Sequence, residues 1–319
     1  MPTLGSGVSH WNNIDDSRWV LERAMVDTHP ITSPSHEPGV MISYISCPPK
    51  DAESKGTVLL IHGFPQTSYQ FRRVITPIAD AGYHVIAPDY RGAGQSSKPW
   101  DGYTKMAMAE DLHTLLRIIG VRGKVHVVGH EIGGMIAHAY AMQFPQDTTS
   151  VAWGECPLPG TAFYDETKHT LPLWHFTFHN VPDLPEALVT GRERIYLKHF
   201  FDRLAQNSNA ISPHDLDVYT NAYSAPGALR AGFNVYRTLE QDKLDNLEWL
   251  QARGKSQVPC LALWGGRSFA DLDTARKMCG QFYDDLVYAK TVPSAGHWIA
   301  EEQPAAFVKT LVGWFEMFK

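Results

Sequence analysis

The sequence predicts an α/β protein, a mostly parallel sheet with helices on its faces and one inserted helical block. Three observations predict it. Short apolar, β-branched runs alternate with helical stretches through the first half, the order that crossover helices impose on a parallel sheet. One run, Lys124-Val125-His126-Val127-Val128, feeds through Gly129-His130-Glu131-Ile132-Gly133-Gly134 straight into a good helix former, Met135 to Ala141. After Pro157-Leu158-Pro159-Gly160 the alternation stops. Helical, aromatic and histidine-rich sequence then runs to about Leu250.

The elements follow in order. Residues 24–28 and 41–46 read as an initial antiparallel pair. Residues 57–61 form a strand that ends in His62-Gly63-Phe64-Pro65. A helix is expected over 69–81, because Phe71, Val74, Ile75 and Ile78 recur at spacings of three and four. Residues 83–87 are a short strand. Residues 106–119 are an amphipathic helix with Met106, Ala109, Leu112, Leu116 and Ile119 on one face. The strand Val151-Ala152-Trp153-Gly154 ends in Glu155. The sheet resumes at 259–265 and again at 286–289, just before Gly296-His297-Trp298, and 304–318 closes the chain as a helix. The organisation expected is a core from residues 1–157 and 251–319, with 158–250 as a lid.

Composition agrees with this plan. The 319 residues are 44% hydrophobic, enough for one large core and a smaller insert. A net charge of −6 argues against nucleic acid or an anionic membrane as partner. Cys47, Cys156, Cys260 and Cys279 are widely spaced with no CxxC pair, so neither a metal site nor a disulfide framework is expected. Residues 1–13 contain no apolar leader, and no stretch reaches membrane-spanning length. A cytoplasmic protein without cofactor or metal is the expectation, and a homodimer is compatible with it.

The chemistry centres on position 131. Glycines flanking a strand-to-helix turn throw one side chain clear of the sheet edge. Here that side chain is a glutamate. A carboxylate so placed can attack an electrophilic carbon and form an ester that water must then hydrolyse. It is already ionised at neutral pH and needs no base for the first step. An imidazole is needed for the second step, to take a proton from water, with an acid fixing its tautomer. His297 is the candidate imidazole. Glu155 is preferred as the acid over Asp271, in the loop after the seventh strand. Backbone N–H groups of Phe64 and Ile132 are placed to form the oxyanion hole.

With these motifs in this order, the chain resembles the α/β-hydrolases of the epoxide hydrolase and haloacid dehalogenase branch, from about Met41 to the C-terminus. The resemblance implies the α/β-hydrolase fold, an eight-stranded mostly parallel sheet with an inserted helical lid. Lid segments Leu173-Trp174-His175-Phe176-Thr177-Phe178 and Phe233-Asn234-Val235-Tyr236-Arg237 resemble those of bacterial epoxide hydrolases that open the ring with a His/Tyr pair. His175 and Tyr236 are then the implied proton donors, and Trp174 and Phe178 the substrate-binding aromatics. In isolation either donor reads as an ordinary lid residue. The family carries aspartate where this chain has Glu131. An extra methylene displaces the carboxylate by ~1.5 Å, which leaves open a nucleophile, a stalled ester or a general base.

The expected activity is therefore the opening of a small hydrophobic epoxide to a diol. Haloacid or haloalkane dehalogenation is the rival. Ile132 stands where the haloalkane enzymes usually have tryptophan, and Ile132, Met135 and Ile136 stand where fluoroacetate dehalogenases have arginines. An isomerase or cyclase using Glu131 as base, and a ligand-binding protein without catalysis, are the other classes in view. Asp89 and Arg91, in a DxRGxGxS loop, read as braces of the sheet end, and His62 and His130 as hydrogen-bond partners of backbone in their turns.

Overall fold

The computed structural model describes residues 14–27, 39–51, 53–284 and 287–318. Among these, eight strands form one sheet: β1 Val20–Val26, β2 Val40–Cys47, β3 Thr57–Ile61, β4 His84–Pro88, β5 Val125–His130, β6 Thr148–Gly154, β7 Cys260–Gly265 and β8 Val287–Val292. Their order across the sheet is β1-β2-β4-β3-β5-β6-β7-β8. The β1–β2 and β2–β4 pairs are antiparallel and the rest parallel. The α/β class and mostly parallel sheet expected from sequence are therefore present.

The two-residue period of a strand divides the core. Leu59 and Ile61 of β3 pack with Val127, Trp153 and Ile136 on one face, whereas Val58 and Leu60 pack with Ile75, Val128, Leu261 and Trp314 on the other. Helices Lys105–Ile118 and Ile132–Gln143 serve the first face, and Ile75–Asp80 and Pro304–Phe315 the second.

Several boundaries moved. The helix expected over 69–81 is a 3-10 turn, Ser68–Phe71, followed by the helix Ile75–Asp80. Pro77 lies in the first turn of that helix, where its missing N–H costs nothing, so the helix cannot extend far ahead of it. β1 starts four residues earlier than expected, at Val20; it is an edge strand with mostly exposed side chains, so no alternation marked it. Thr28 and Leu286, included in the expected first and last strands, lie outside the described residues, as do 1–13.

Between β6 and β7 come the helices of the lid, from Ala162–Thr167 to Leu239–Arg253. Buried ion pairs tie them to the sheet side: Arg72 reaches Asp215 at 3.0 Å and Lys105 reaches Asp242 at 2.6 Å. No helix among the described residues is long and apolar enough to cross a membrane.

Candidate active site

Parallel pairing brings the reacting groups to one sheet edge. Because His130 pairs with Gly154, Glu131 and Glu155 leave adjacent strands side by side. Such strand ends are where open α/β sheets present ligand sites. Glu131 has φ 54° and ψ −123°, a strained turn that aims its side chain away from the sheet. Its glycines are sterically required. A Cβ on Gly129 would lie 2.0 Å from the Gly133 carbonyl oxygen, and one on Gly133 would lie 2.1 Å from that of Ile61.

The Glu131 carboxylate is held on both oxygens. Oε2 accepts hydrogen bonds from the N–H groups of Phe64 at 2.7 Å and Ile132 at 2.6 Å. Oε1 accepts from the Tyr236 hydroxyl at 3.1 Å. Burial pushes the carboxyl up to about 7, against the opposing pull of these donors. Burial likewise holds the Tyr236 phenol well above its ordinary 10, so it stays a donor.

His297 stands on the loop after β8. Its Nδ1 is 2.9 Å from Glu155 Oε2. Glu155 also accepts from the Gly265 N–H at 2.7 Å and from the Ser268 hydroxyl. Burial pushes the Glu155 carboxyl up, while those two donors pull it down. Three converging donors suit a carboxylate, and we therefore read the His297 Nδ1–H as donating to it. Burial lowers His297 to about 3, so the ring is neutral at physiological pH with a free lone pair on Nε2. Asp271 is elsewhere: it is the N-cap of helix Leu272–Phe282, accepting from the Thr274 N–H at 2.8 Å, and is exposed. The loop expected to hold the rival acid instead contributes Ser268, which sequence reasoning missed although it had the right loop.

These groups line one cavity of about 190 Å³, with Phe64, Glu131, Glu155, His175, Tyr236 and His297 on its walls. Phe163, Leu173, Phe176, Phe200, Phe269 and Trp298 make most of the remainder apolar. The His175 ring is 5.5 Å from that of Tyr236, and its buried Nδ1 has no hydrogen-bond partner among the described residues. Burial lowers His175 to about 3.

Trp174 and Phe178 require a correction, because neither lines this cavity. Helix Trp174–Asn180 buries His175, Phe176 and His179 on its inner face. Trp174 and Phe178 fall beside that face and pack on Tyr196, with Trp174 also stacked on Phe200. The supporting histidines behave as their turns suggested. His62 contacts the Gly63 carbonyl at 3.0 Å, and His130 Nε2 contacts the His297 carbonyl at 2.7 Å. Asp89 accepts from the N–H groups of Ser68 and Gln95, bracing the sheet end.

Comparisons with known proteins agree with the architecture. A family model described as alpha/beta hydrolase fold matches residues 56–304. The soluble epoxide hydrolase of Corynebacterium sp. (strain C12) is 32% identical over 265 residues, covering 81% of this chain and 89% of that protein. Mouse epoxide hydrolase 4 is 27% identical, over 78% of this chain and 70% of that protein. Among solved structures, the epoxide hydrolase CorEH without ligand superposes with a TM-score of 0.80 at 27% identity, covering 94% of this chain and 100% of that one. Cfl2 from Burkholderia cenocepacia gives 0.80 at 29% identity, covering 94% and 96%. The chain belongs to the α/β-hydrolase superfamily, in its epoxide hydrolase branch, and is a hydrolase.

Proposed function

We propose that the protein opens a small hydrophobic epoxide to a diol through an ester on Glu131. Glu131 Oε1 attacks one ring carbon, and the carbon–oxygen bond on that carbon breaks. The released alkoxide takes a proton from Tyr236, with His175 as the second donor opposite the carboxylate. His297 Nε2 then removes a proton from water, and the resulting hydroxide adds to the ester carbonyl carbon. The negative charge that develops falls on Oε2, between the Phe64 and Ile132 amides. Collapse releases the diol and regenerates the carboxylate; the imidazolium, stabilised by Glu155 meanwhile, then gives up its proton, which restores the Tyr236 phenol and the neutral imidazole.

One observation carries this reading. Glu131 Oε2 sits on both hole donors while Oε1 meets the Tyr236 hydroxyl, an arrangement that suits one oxygen as ester carbonyl and the other as nucleophile. The apolar walls and modest volume support a small uncharged substrate. Trp174, a lid residue whose indole N–H could face a halide in a dehalogenase, packs on Phe200 outside the cavity. Four buried unpaired cysteines support a reducing compartment, the cytoplasm.

The test is one turnover in H2¹⁸O with enzyme in excess over a monosubstituted aryl epoxide. The ester route gives unlabelled diol and puts the label in the Glu131 carboxyl. Labelled diol with unlabelled Glu131 would instead establish direct attack by water and refute the nucleophile.

A further inference from the structure

Glu302, on the short helix Ile299–Glu302, has no part in the chemistry above, yet its carboxylate is buried at the back of the His297 loop. Among the described residues no lysine, arginine or histidine forms an ion pair with it. Backbone N–H groups take that place. Oε1 accepts from Trp298 at 3.0 Å and from Gly296 at 3.1 Å. Oε2 accepts from Gly296 at 3.1 Å and from Gln206 and Asn207 at 2.8 Å each.

The donors come from two separate segments. Gly296 and Trp298 flank His297. Gln206 and Asn207 follow lid helix Glu193–Leu204, whose Phe200 and Leu204 wall the cavity. The segments also touch directly: the His297 N–H donates to the Leu204 carbonyl at 3.0 Å. A Cβ on Gly296 would come within 2.6 Å of the Gln206 nitrogen, so only glycine permits this approach.

We propose that Glu302 is a positioning residue, a latch that holds His297 in its working place only while the lid segment at 206–207 is docked. The inference rests on the ester reading above. It makes ester hydrolysis, the step that uses His297, depend on this edge of the lid. Ester formation does not depend on it, because among the described residues no hydrogen bond joins Glu131, Tyr236 or the hole amides to Glu302 or its four backbone donors.

Glu302→Gln tests it, because an amide nitrogen cannot accept a hydrogen bond. In one orientation the amide loses the Trp298 and Gly296 bonds to Oε1. In the other it loses those of Gln206, Asn207 and Gly296 to Oε2, so the link between segments opens, whereas in the first it is thinned to the one Gly296 bond on Oε2. Ester formation should proceed at the wild-type rate while hydrolysis slows by up to ~10²-fold, the effect of ~1 Å of misplacement. The amides of Gln206, Asn207, Gly296 and Trp298 should exchange with deuterium faster as a set, with the remainder protected. Glu302→Asp keeps both acceptors one methylene short and should show the same split at smaller size, which covers the case of a glutamine variant that does not fold. Equal slowing of both steps, or unchanged hydrolysis, overturns the latch. If wild-type enzyme forms no ester, the Glu131 reading fails separately. The exchange of those four amides then decides alone, and unaltered exchange in the variant overturns the proposal.

Discussion

Replacing Glu131 by glutamine should abolish turnover and, at alkaline pH, make the protein more stable. The amide can mimic the protonated acid, with its oxygen between the Phe64 and Ile132 amides and its nitrogen donating to the Tyr236 oxygen. The stability effect comes from burial, which raises the folded-state carboxyl from its ordinary 4.5 to about 7. Between those values the folded chain holds a proton that the unfolded chain has released, so stability falls as pH rises through the window. At ~1.36 kcal/mol per tenfold, the penalty is roughly 3 kcal/mol at pH 8 and under about 1 kcal/mol at pH 5. Glutamine carries no such penalty at either pH. Its advantage over wild type should therefore grow by roughly 2.5 kcal/mol from pH 5 to pH 8, and pH-independent packing effects cancel in that difference. Urea unfolding of both proteins at the two pH values measures it directly. Thermal scans should show the gap in Tm widening by roughly 4 °C. An advantage that is the same at pH 5 and pH 8 would refute the reasoning, since it would mean that water solvates this carboxylate in the folded state.

The same carboxyl sets the pH dependence of the first chemical step. The ionised form attacks, so the rate of ester formation should rise with pH, reach half its maximum near 7 and lie about tenfold below the plateau at pH 6, as rapid-quench sampling would show. Tyr236→Phe removes the donor to Oε1 and to the leaving oxygen. Ester formation should slow by ~10²-fold or more, and its half-maximum should move to higher pH because that hydrogen bond holds Glu131 down. Glu155→Gln leaves the Glu131 attack intact but strips the imidazolium of its anion. Hydrolysis should fall by up to ~10⁴-fold, and the intact-protein mass should show the substrate adduct accumulating on Glu131.

What the sequence disclosed followed from local rules. The elbow was legible because Gly129 and Gly133 are each required by a carbonyl within 2.1 Å of where a Cβ would stand. Glu155 and His297 were legible because strand ends and a glycine-led loop fix where such residues emerge. The inner face of helix Trp174–Asn180 was not. The helix carries aromatic or imidazole side chains on that face at His175, Phe176 and His179 and beside it at Trp174 and Phe178, so residue type does not separate wall from packing. The β7 loop failed for a different reason. Asp271 is chemically the better acid, but its place at a helix N-terminus takes its side chain to the Thr274 amide. Ser268, three residues earlier, faces Glu155 instead. Glu302 was invisible, because a carboxylate in a short helix reads as solvated until its backbone donors are located.

Burial, added to backbone strain, separates the two acids from the other non-glycine residues with positive φ among the described residues. Glu131 and Glu155 have φ of 54° and 61°, and Asp183 and Ser294 have φ of 61° and 59°. Such conformations cost about 1–3 kcal/mol each, so positive φ alone marks no site here. Asp183 and Ser294 are exposed, in turns where water can solvate their polar groups. Glu131 and Glu155 are 7% and 1% exposed, so each adds desolvation of a carboxyl to its strain. Both are over-determined in return. Glu131 takes two amides and a phenol, and Glu155 takes an amide, a hydroxyl and an imidazole. A fold selected for stability alone would relieve both positions with glycine or asparagine. Two strained, buried carboxyls at the ends of adjacent strands, facing one apolar cavity, are the arrangement that the proposed ester route requires.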